Sequence, residues 1–134
     1  MVDYQDRIEA ELEQVQQTIA NLPDRPLRQL SKLELSGVGG ILQSFYNGIE
    51  NILKQVFRKH GKTVPDDLQW HRRLIQEAAQ YGFISQSTRE VLIPYLTFRH
   101  LYRNAYFFDL KPERMQALID GIEKAFSEFR KDIS

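Results

Sequence analysis

Residues 38–57 read VGGILQSFYNGIENILKQVF, and their apolar positions recur at the three- and four-residue spacing of an α-helix. The segment from about Leu33 to His60 has the apolar positions Val38, Ile41, Leu42, Phe45, Ile49, Ile52, Leu53, Val56 and Phe57. An apolar face this wide is typical of a helix that has neighbours on several sides, so it predicts the central helix of a helical domain. Gly61 predicts where this helix ends.

Four glycines lie inside this predicted helix: Gly37, Gly39, Gly40 and Gly48. Each costs a helix about 1 kcal/mol relative to alanine. We expect the close approach of another helix to offset that cost. The glycines do not form a phosphate-binding loop, because no Gly-Lys-Ser/Thr follows them and no strand precedes them.

Amphipathic patterns at both ends of the chain predict two more helices. The first segment has a narrow apolar seam from Tyr4 to Leu22 and ends where Pro23 and Pro26 forbid continuation. We predict an outer helix that lies on the core. The last segment has Pro112 in its first turn. Its apolar stripe consists of Met115, Leu118, Ile119, Ile122, Phe126 and Phe129.

Two further helices are predicted between these. Leu68 opens a short one, for which Asp66 or Asp67 is the candidate N-cap. A longer one begins near Ser87, which stands at capping-box spacing from Glu90. Because there is no alternating β pattern and no internal repeat, we predict one domain over residues 1–134. Its fold class is an all-α, up-and-down bundle of four main helices plus a short one.

The composition narrows the classes of function. Lys+Arg and Asp+Glu are equal at 18 each, so a nucleic-acid site would have to be a local basic patch. The absence of cysteine excludes disulfides and thiolate metal sites. The first six residues do not resemble a signal peptide, and no apolar run approaches the roughly 20 residues that span a bilayer. We therefore expect a cytoplasmic protein without a membrane segment.

The stretch FRHLYRNAYFFD, residues 98–109, contains the most distinctive polar pattern of the chain. At about 100° per residue, one helix face contains Leu92, Tyr95, Leu96, Arg99, Tyr102, Arg103 and Tyr106. Arg99 therefore ends an apolar stripe, where a charge needs water, a partner chain or an anion. The structural alternative is an arginine that snorkels past the rim of the core.

These side chains have the chemistry of a metal-independent ribonuclease. Guanidinium groups bind phosphate through paired donors and stabilise charge on a phosphoryl oxygen. A histidine can move the proton of a ribose 2′-hydroxyl, and aromatic rings can stack on unpaired bases. Arginine and tyrosine also populate ordinary protein interfaces, so the pattern alone leaves both functions open.

Other kinds of site have weak support in the sequence. The three histidines, His60, His71 and His100, lack the spacing of a metal site, and no dinucleotide fingerprint or nucleophile elbow is present. We therefore expect no metal and no cofactor. His71, at the start of a helix, is typical of a structural histidine that is hydrogen-bonded at the core edge.

Residues 99–106, RHLYRNAY, resemble the motif of the HEPN superfamily and, within it, of the HepT-like toxins that accompany a minimal nucleotidyltransferase (MNT) antitoxin. The family motif is an arginine, four to six residues, then a histidine that x-Tyr often follows. Residues 44–50, SFYNGIE, and 70–74, WHRRL, look like the pattern of one HepT-like subfamily. The resemblance covers most of the chain from about residue 33 and implies a HEPN-type helical bundle.

The resemblance also implies a function: the toxin of a toxin–antitoxin pair, acting as a metal-independent endoribonuclease. The site residues that it implies are Arg99, Asn104 and His100 for catalysis, Arg103 and Tyr102 for RNA binding, and Tyr106 for adenylylation. It implies a homodimer in which two copies of the motif meet. The implied partner is an MNT-type nucleotidyltransferase antitoxin, which in some systems adenylylates the tyrosine of the motif.

This chain departs from the family motif at one position, where Asn104 replaces the histidine. Asparagine can hydrogen-bond a phosphate but cannot act as a general base near neutral pH. Either the ribonuclease activity is weak or absent, or a neighbour such as His100 substitutes. The alternatives are a non-catalytic binding or regulatory partner of a nucleotidyltransferase, and an oligomeric helical scaffold.

Overall fold

The computed structural model describes residues 3–104 and 110–134, and the regular structure within these ranges is entirely helical. The α-helices are α1 Tyr4–Ala20, α2 Lys32–Lys59, α3 Trp70–Gln80, α4 Gln86–Asn104 and α5 Pro112–Ile133, and a 3₁₀ turn spans Leu27–Gln29. The prediction of an all-α bundle with four main helices and one short helix, α3, is confirmed. Among the helices of the described ranges, none is long and apolar enough to cross a membrane.

Helix α2 is the central element, as its wide apolar face predicted. It packs against each of the other four helices. Phe45 is fully buried and meets Tyr95 of α4 and Phe126 of α5 edge-on, with ring centroids 5.1 and 6.4 Å apart. Edge-to-face contacts of this kind add to the hydrophobic gain of burying the rings. The aromatic cluster therefore fixes α4, which carries the polar stretch, against α2.

Two glycines of α2 allow neighbouring elements to approach closely. A Cβ at Gly48 would overlap Val15 of α1, and a Cβ at Gly39 would overlap the ring of Tyr102 on α4. For these two positions the prediction of close helix approach is confirmed. It is wrong for Gly37, where an added Cβ would have nothing within 4 Å.

The start of α3 differs from the prediction. The helix begins at Trp70, its N-cap is Gln69, and Leu68 is 98% exposed. Asp67 Oδ1 instead accepts a hydrogen bond of 3.0 Å from Gln69 N, so it stabilises the turn before the helix. Leu68 has the apolar spacing of the helix but lies before its first residue. The spacing is therefore why the start was predicted two residues too early.

The start of α4 is fixed by Ser85 and not by the predicted Ser87. Ser85 Oγ accepts a hydrogen bond of 3.0 Å from Thr88 N. Thr88 Oγ1 and Ser85 N both donate to Asp132 Oδ2, at 2.5 and 2.9 Å. Asp132 belongs to the last turn of α5, so this cluster joins the beginning of α4 to the end of α5.

Candidate functional site

Arg99 is half-buried where the apolar stripe of α4 ends. Its Nε donates a hydrogen bond of 2.5 Å to Asn47 Oδ1 on α2. No carboxylate within residues 3–104 and 110–134 lies at salt-bridge distance from the guanidinium. A neutral amide thus orients Arg99 without neutralising it, an arrangement suited to an arginine that receives an anion.

The next turn of α2 holds a second polar contact. Glu50 is only 3% exposed, and its Oε2 lies 2.7 Å from Nδ1 of His71, the second residue of α3. Because Asn47 and Glu50 are three residues apart, they share one face of α2. This face therefore anchors a residue of α4 and a residue of α3 side by side.

Burial dominates the electrostatics of this pair. Burial raises the pKa of Glu50 to about 7, although the positive charges of Arg99 and Lys54 act in the opposite direction. Burial also lowers the pKa of His71 to about 4, and Arg99, Lys54 and Arg103 lower it further. His71 is therefore neutral at pH 7.

Three side chains of α2 and α3 surround the pair. The Trp70 ring lies against His71, with centroids 3.6 Å apart, and Lys54 Nζ is 4.1 Å from the centroid of Trp70. Tyr46, one turn before Glu50, is fully buried. No described residue forms a hydrogen bond with its hydroxyl, and burial raises the pKa of that hydroxyl. The site is thus a polar cluster with a net positive rim, enclosed between α2, α3 and α4.

Two of the other site residues predicted from the sequence, Tyr102 and Arg103, lie near this cluster. The ring of Tyr102 packs on Gly39, and its hydroxyl donates a hydrogen bond of 2.8 Å to Ser36 O. Arg103 is exposed one turn after Arg99. Tyr106 lies outside the described residues.

His100 and Asn104 lie on a different side of α4 from the Asn47 contact. His100 is exposed and lines a groove of about 640 Å³ between α3 and α4, together with His71, Arg72 and Arg89. Asn104 Nδ2 donates a hydrogen bond of 2.8 Å to His100 O in the preceding turn. The side chain of Asn104 is therefore engaged with the backbone of its own helix.

Asn47 and Glu50 are the site residues that the sequence interpretation did not select. Both interrupt the apolar pattern of α2, and polar residues at i and i+3 on a face otherwise buried were the available signal. His71 was interpreted as a structural histidine bonded at the core edge, and its bond to Glu50 confirms that position.

The described residues contain no group of three or more His, Asp or Glu side chains arranged to hold a metal ion. The contacts of the cluster are instead arginine to amide and histidine to carboxylate. This donor set suits an anionic ligand that binds through hydrogen bonds and charge.

A family model described as HepT-like protein matches residues 37–134, well over half of the chain. The matched range contains the four residues of the two polar contacts, Asn47, Glu50, His71 and Arg99. No curated protein and no solved structure matches the chain.

Proposed function

Since the chain belongs to the HepT-like protein family, we propose that it is the toxin of a toxin–antitoxin pair and cleaves RNA without a metal ion. The resemblance to the HepT-like family is confirmed, and the assignment of residues 99–106 as its motif and the activity are our proposals. The observation that best supports this proposal is that a neutral amide orients Arg99 next to a histidine–carboxylate pair.

Arg99 would bind the scissile phosphate and stabilise the charge that builds on its oxygens during transfer. Arg103, exposed one turn later, would add a second positive charge for the RNA backbone. We assign His100 and Tyr102 to supporting RNA contacts. Asn104 would orient the phosphate through its amide, which requires it to exchange its bond to His100 O for one to the substrate.

We also propose the partners that the family resemblance implies. The chain would act as a single-domain, cytoplasmic homodimer and would be neutralised by an MNT-type nucleotidyltransferase. Exposed apolar side chains beside the groove support a protein contact there, because Leu68 is 98% and Leu101 48% exposed. Tyr106 remains our candidate for adenylylation by that partner.

One observation favours a second function. Asn104 cannot take a proton, and its side chain is bonded to the backbone of its own helix. A chain that has given up the histidine of the family motif could serve as a non-catalytic binding or regulatory partner of a nucleotidyltransferase. It would then bind through the same arginines without cleaving RNA.

Expression in a bacterial host distinguishes the two functions. We expect the wild-type chain to arrest growth and degrade cellular RNA, and Arg99→Ala to do neither while accumulating to the same level. Arg58→Ala is the matched control, because Arg58 is an exposed arginine near the end of α2. Growth arrest that persists in Arg99→Ala would contradict the role of Arg99, and harmless wild-type protein would favour the binding partner.

A further inference from the structure

We propose that His71, positioned by Glu50, is the general base of this site and accepts the proton of the ribose 2′-hydroxyl next to the phosphate that Arg99 binds. This inference rests on the ribonuclease function proposed above and names the group that replaces the missing histidine of the motif. His71 would be a catalytic residue, and Glu50 a positioning residue that acts through it.

The shared helix face provides the proximity that such a pair needs. Arg99 is bonded to Asn47 and His71 to Glu50, three residues later on α2. Side chains at this spacing start about 5–6 Å apart at their Cβ atoms. The two groups therefore emerge from α4 and α3 on the same side of α2, near enough for the charge of Arg99 to lower the pKa of His71.

The contact with Glu50 leaves the second ring nitrogen of His71 available. When Glu50 is ionised it accepts a hydrogen bond from Nδ1–H, so the Nε2 lone pair of the neutral ring is a proton acceptor. His71 keeps 25% of its side-chain surface exposed and lines the groove between α3 and α4. A buried carboxylate prepares such a partly exposed imidazole as a general base, because its negative charge opposes the burial and the nearby cations that lower the pKa of the ring.

The other two histidines lack this arrangement. His60 lies at the C-cap of α2, where its ring stacks on Phe83. His100 directly follows Arg99, so it points about 100° away from it around α4, and it is exposed in the groove that His71 also lines. Of the three, His71 is the one held by a buried carboxylate.

The reaction that follows is a transesterification within the RNA strand. Nε2 of His71 takes the proton of the 2′-hydroxyl, the O2′–P bond forms, and the P–O5′ bond breaks. The leaving 5′-oxygen takes a proton from water, and His71 later returns its proton to water. The products are a 2′,3′-cyclic phosphate and a 5′-hydroxyl end, and no atom changes oxidation state.

The ionisation of Glu50 gives the proposal a distinctive pH dependence. The charged and titratable groups that face His71 are Glu50 and Lys54 from α2, Arg99 and Arg103 from α4, and Arg72, Arg89 and His100, which line the same groove. Above a pH of about 7, the pKa to which burial raises Glu50, the carboxylate accepts Nδ1–H and Nε2 is free. Below it, a protonated Glu50 donates to Nδ1, the ring proton moves to Nε2, and the base is blocked.

The test measures cleavage of a single-stranded RNA oligonucleotide in EDTA, with purified full-length protein. We expect His71→Gln to lower the rate about 100- to 10,000-fold, the usual contribution of a general base. His60→Gln, the matched control, should cleave like the wild type. The wild-type rate should be about tenfold lower at pH 6 than at pH 8, because one ionisation near 7 controls it.

Glu50→Gln separates a positioning role from a structural one. Its amide oxygen can still accept Nδ1–H but does not ionise, so the difference in rate between pH 6 and pH 8 should disappear. A pH profile in this variant that keeps the wild-type shape would contradict the positioning role. Helical circular dichroism and the thermal midpoint identify any variant that has failed to fold.

A second readout does not require cleavage. Binding of the same oligonucleotide with every 2′-hydroxyl methylated should shift the NMR signal of the His71 ring and leave that of His60 unchanged. A His71→Gln variant that cleaves like the wild type, while Arg99→Ala does not, would overturn the inference and leave the proposed function standing. A wild-type protein that cleaves no RNA would overturn both.

Discussion

Asn47 Oδ1 accepts a hydrogen bond of 2.5 Å from Arg99 Nε, so a neutral amide of the central helix fixes the guanidinium of α4. The two residues are 52 positions apart in the chain. A carboxylate at the same place would hold Arg99 more tightly but would also neutralise it. The amide therefore orients Arg99 and leaves its positive charge unneutralised.

If Asn47 orients Arg99, Asn47→Ala should lower RNA cleavage by about 10- to 100-fold, because a misplaced catalytic group loses rate steeply. The loss should be smaller than that of Arg99→Ala, since the charge itself remains. Asn51→Ala is the control, as Asn51 is exposed on the same helix. Equal rates for the two asparagine variants would show that Asn47 does not position Arg99.

Glu50 should make stability depend on pH. Its pKa is about 7 in the folded protein, whereas the pKa of a glutamate in an unfolded chain is 4.5. The stability that the protonated form contributes is therefore fully present below about pH 4.5 and is lost as the pH rises through 7. Glu50→Gln removes this loss. The free energy of unfolding of the variant minus that of the wild type should therefore increase from pH 4.5 to pH 8, by at most about 3 kcal/mol.

His71 has the opposite effect on stability, because its pKa of about 4 in the folded protein lies below the 6.5 of a histidine in an unfolded chain. The stability that the neutral ring contributes is lost as the pH falls from 6.5 to 4. Between pH 4.5 and 6.5 this loss opposes the effect of Glu50, so the free energy of unfolding of the wild type changes less with pH there. Urea unfolding at several pH values measures the difference between variant and wild type. A difference that does not change between pH 4.5 and 8 would contradict the pKa shift of Glu50.

The bridge between α4 and α5 predicts a loss of stability in Asp132→Ala. Burial acts to raise the pKa of Asp132, but hydrogen bonds from Ser85 and Thr88 outweigh it and hold the pKa below its usual value. Removing the carboxylate should cost about 1–3 kcal/mol at pH 7, the usual effect of losing hydrogen bonds to a charged group. Glu123→Ala, an exposed carboxylate of α5, should cost far less.

The stability that Asp132 contributes depends on pH in the opposite direction to that of Glu50. Because the folded pKa of Asp132 is lowered, its stabilisation is present above the unfolded value of 3.8 and is lost as the pH falls through the folded one. The difference between Asp132→Ala and the wild type should therefore shrink in acid. Unfolding by urea at pH 7 and pH 3 measures it, and a difference that grew in acid would exclude this account of the bridge.

Two glycines of α2 should respond in opposite ways to the same substitution. Gly48→Ala should destabilise by about 1–3 kcal/mol, because its Cβ would overlap Val15 of α1. Gly37→Ala should stabilise by up to about 1 kcal/mol, because alanine favours the helix and nothing lies within 4 Å. Adding Val15→Ala should recover part of the Gly48→Ala loss. Similar changes in the two single variants would refute the close packing of α1 on α2.

The helices and their buried faces followed from periodicity, because an apolar stripe at helical spacing fixes both the element and the side that faces the core. Phe45, Tyr95 and Phe126 were all expected inside, and all three are buried. The start of α3 was misplaced because Leu68 fits the apolar spacing of the helix, and that of α4 because Ser85 and Ser87 offer similar capping chemistry. The choice of Ser85 over Ser87 depends on Asp132, which is 47 residues away from Ser85.

The candidate site was accessible from the sequence only in part. Arg99 could be selected because a charge at the end of an apolar stripe needs a partner. Its contact with Asn47 and the contact of His71 with Glu50 could not be read from local pattern, since both depend on how α3 and α4 pack against α2. The position of His71 beside Arg99 is a consequence of that packing.

The most direct test of the proposed ribonuclease is cleavage of single-stranded RNA by the purified protein in EDTA, with Arg99→Ala and Arg58→Ala measured in parallel. We predict that the wild type and Arg58→Ala cleave the RNA at the same rate and that Arg99→Ala is inactive although folded. Cleavage by Arg99→Ala at the wild-type rate, or no cleavage by any of the three proteins, would contradict a ribonuclease centred on Arg99.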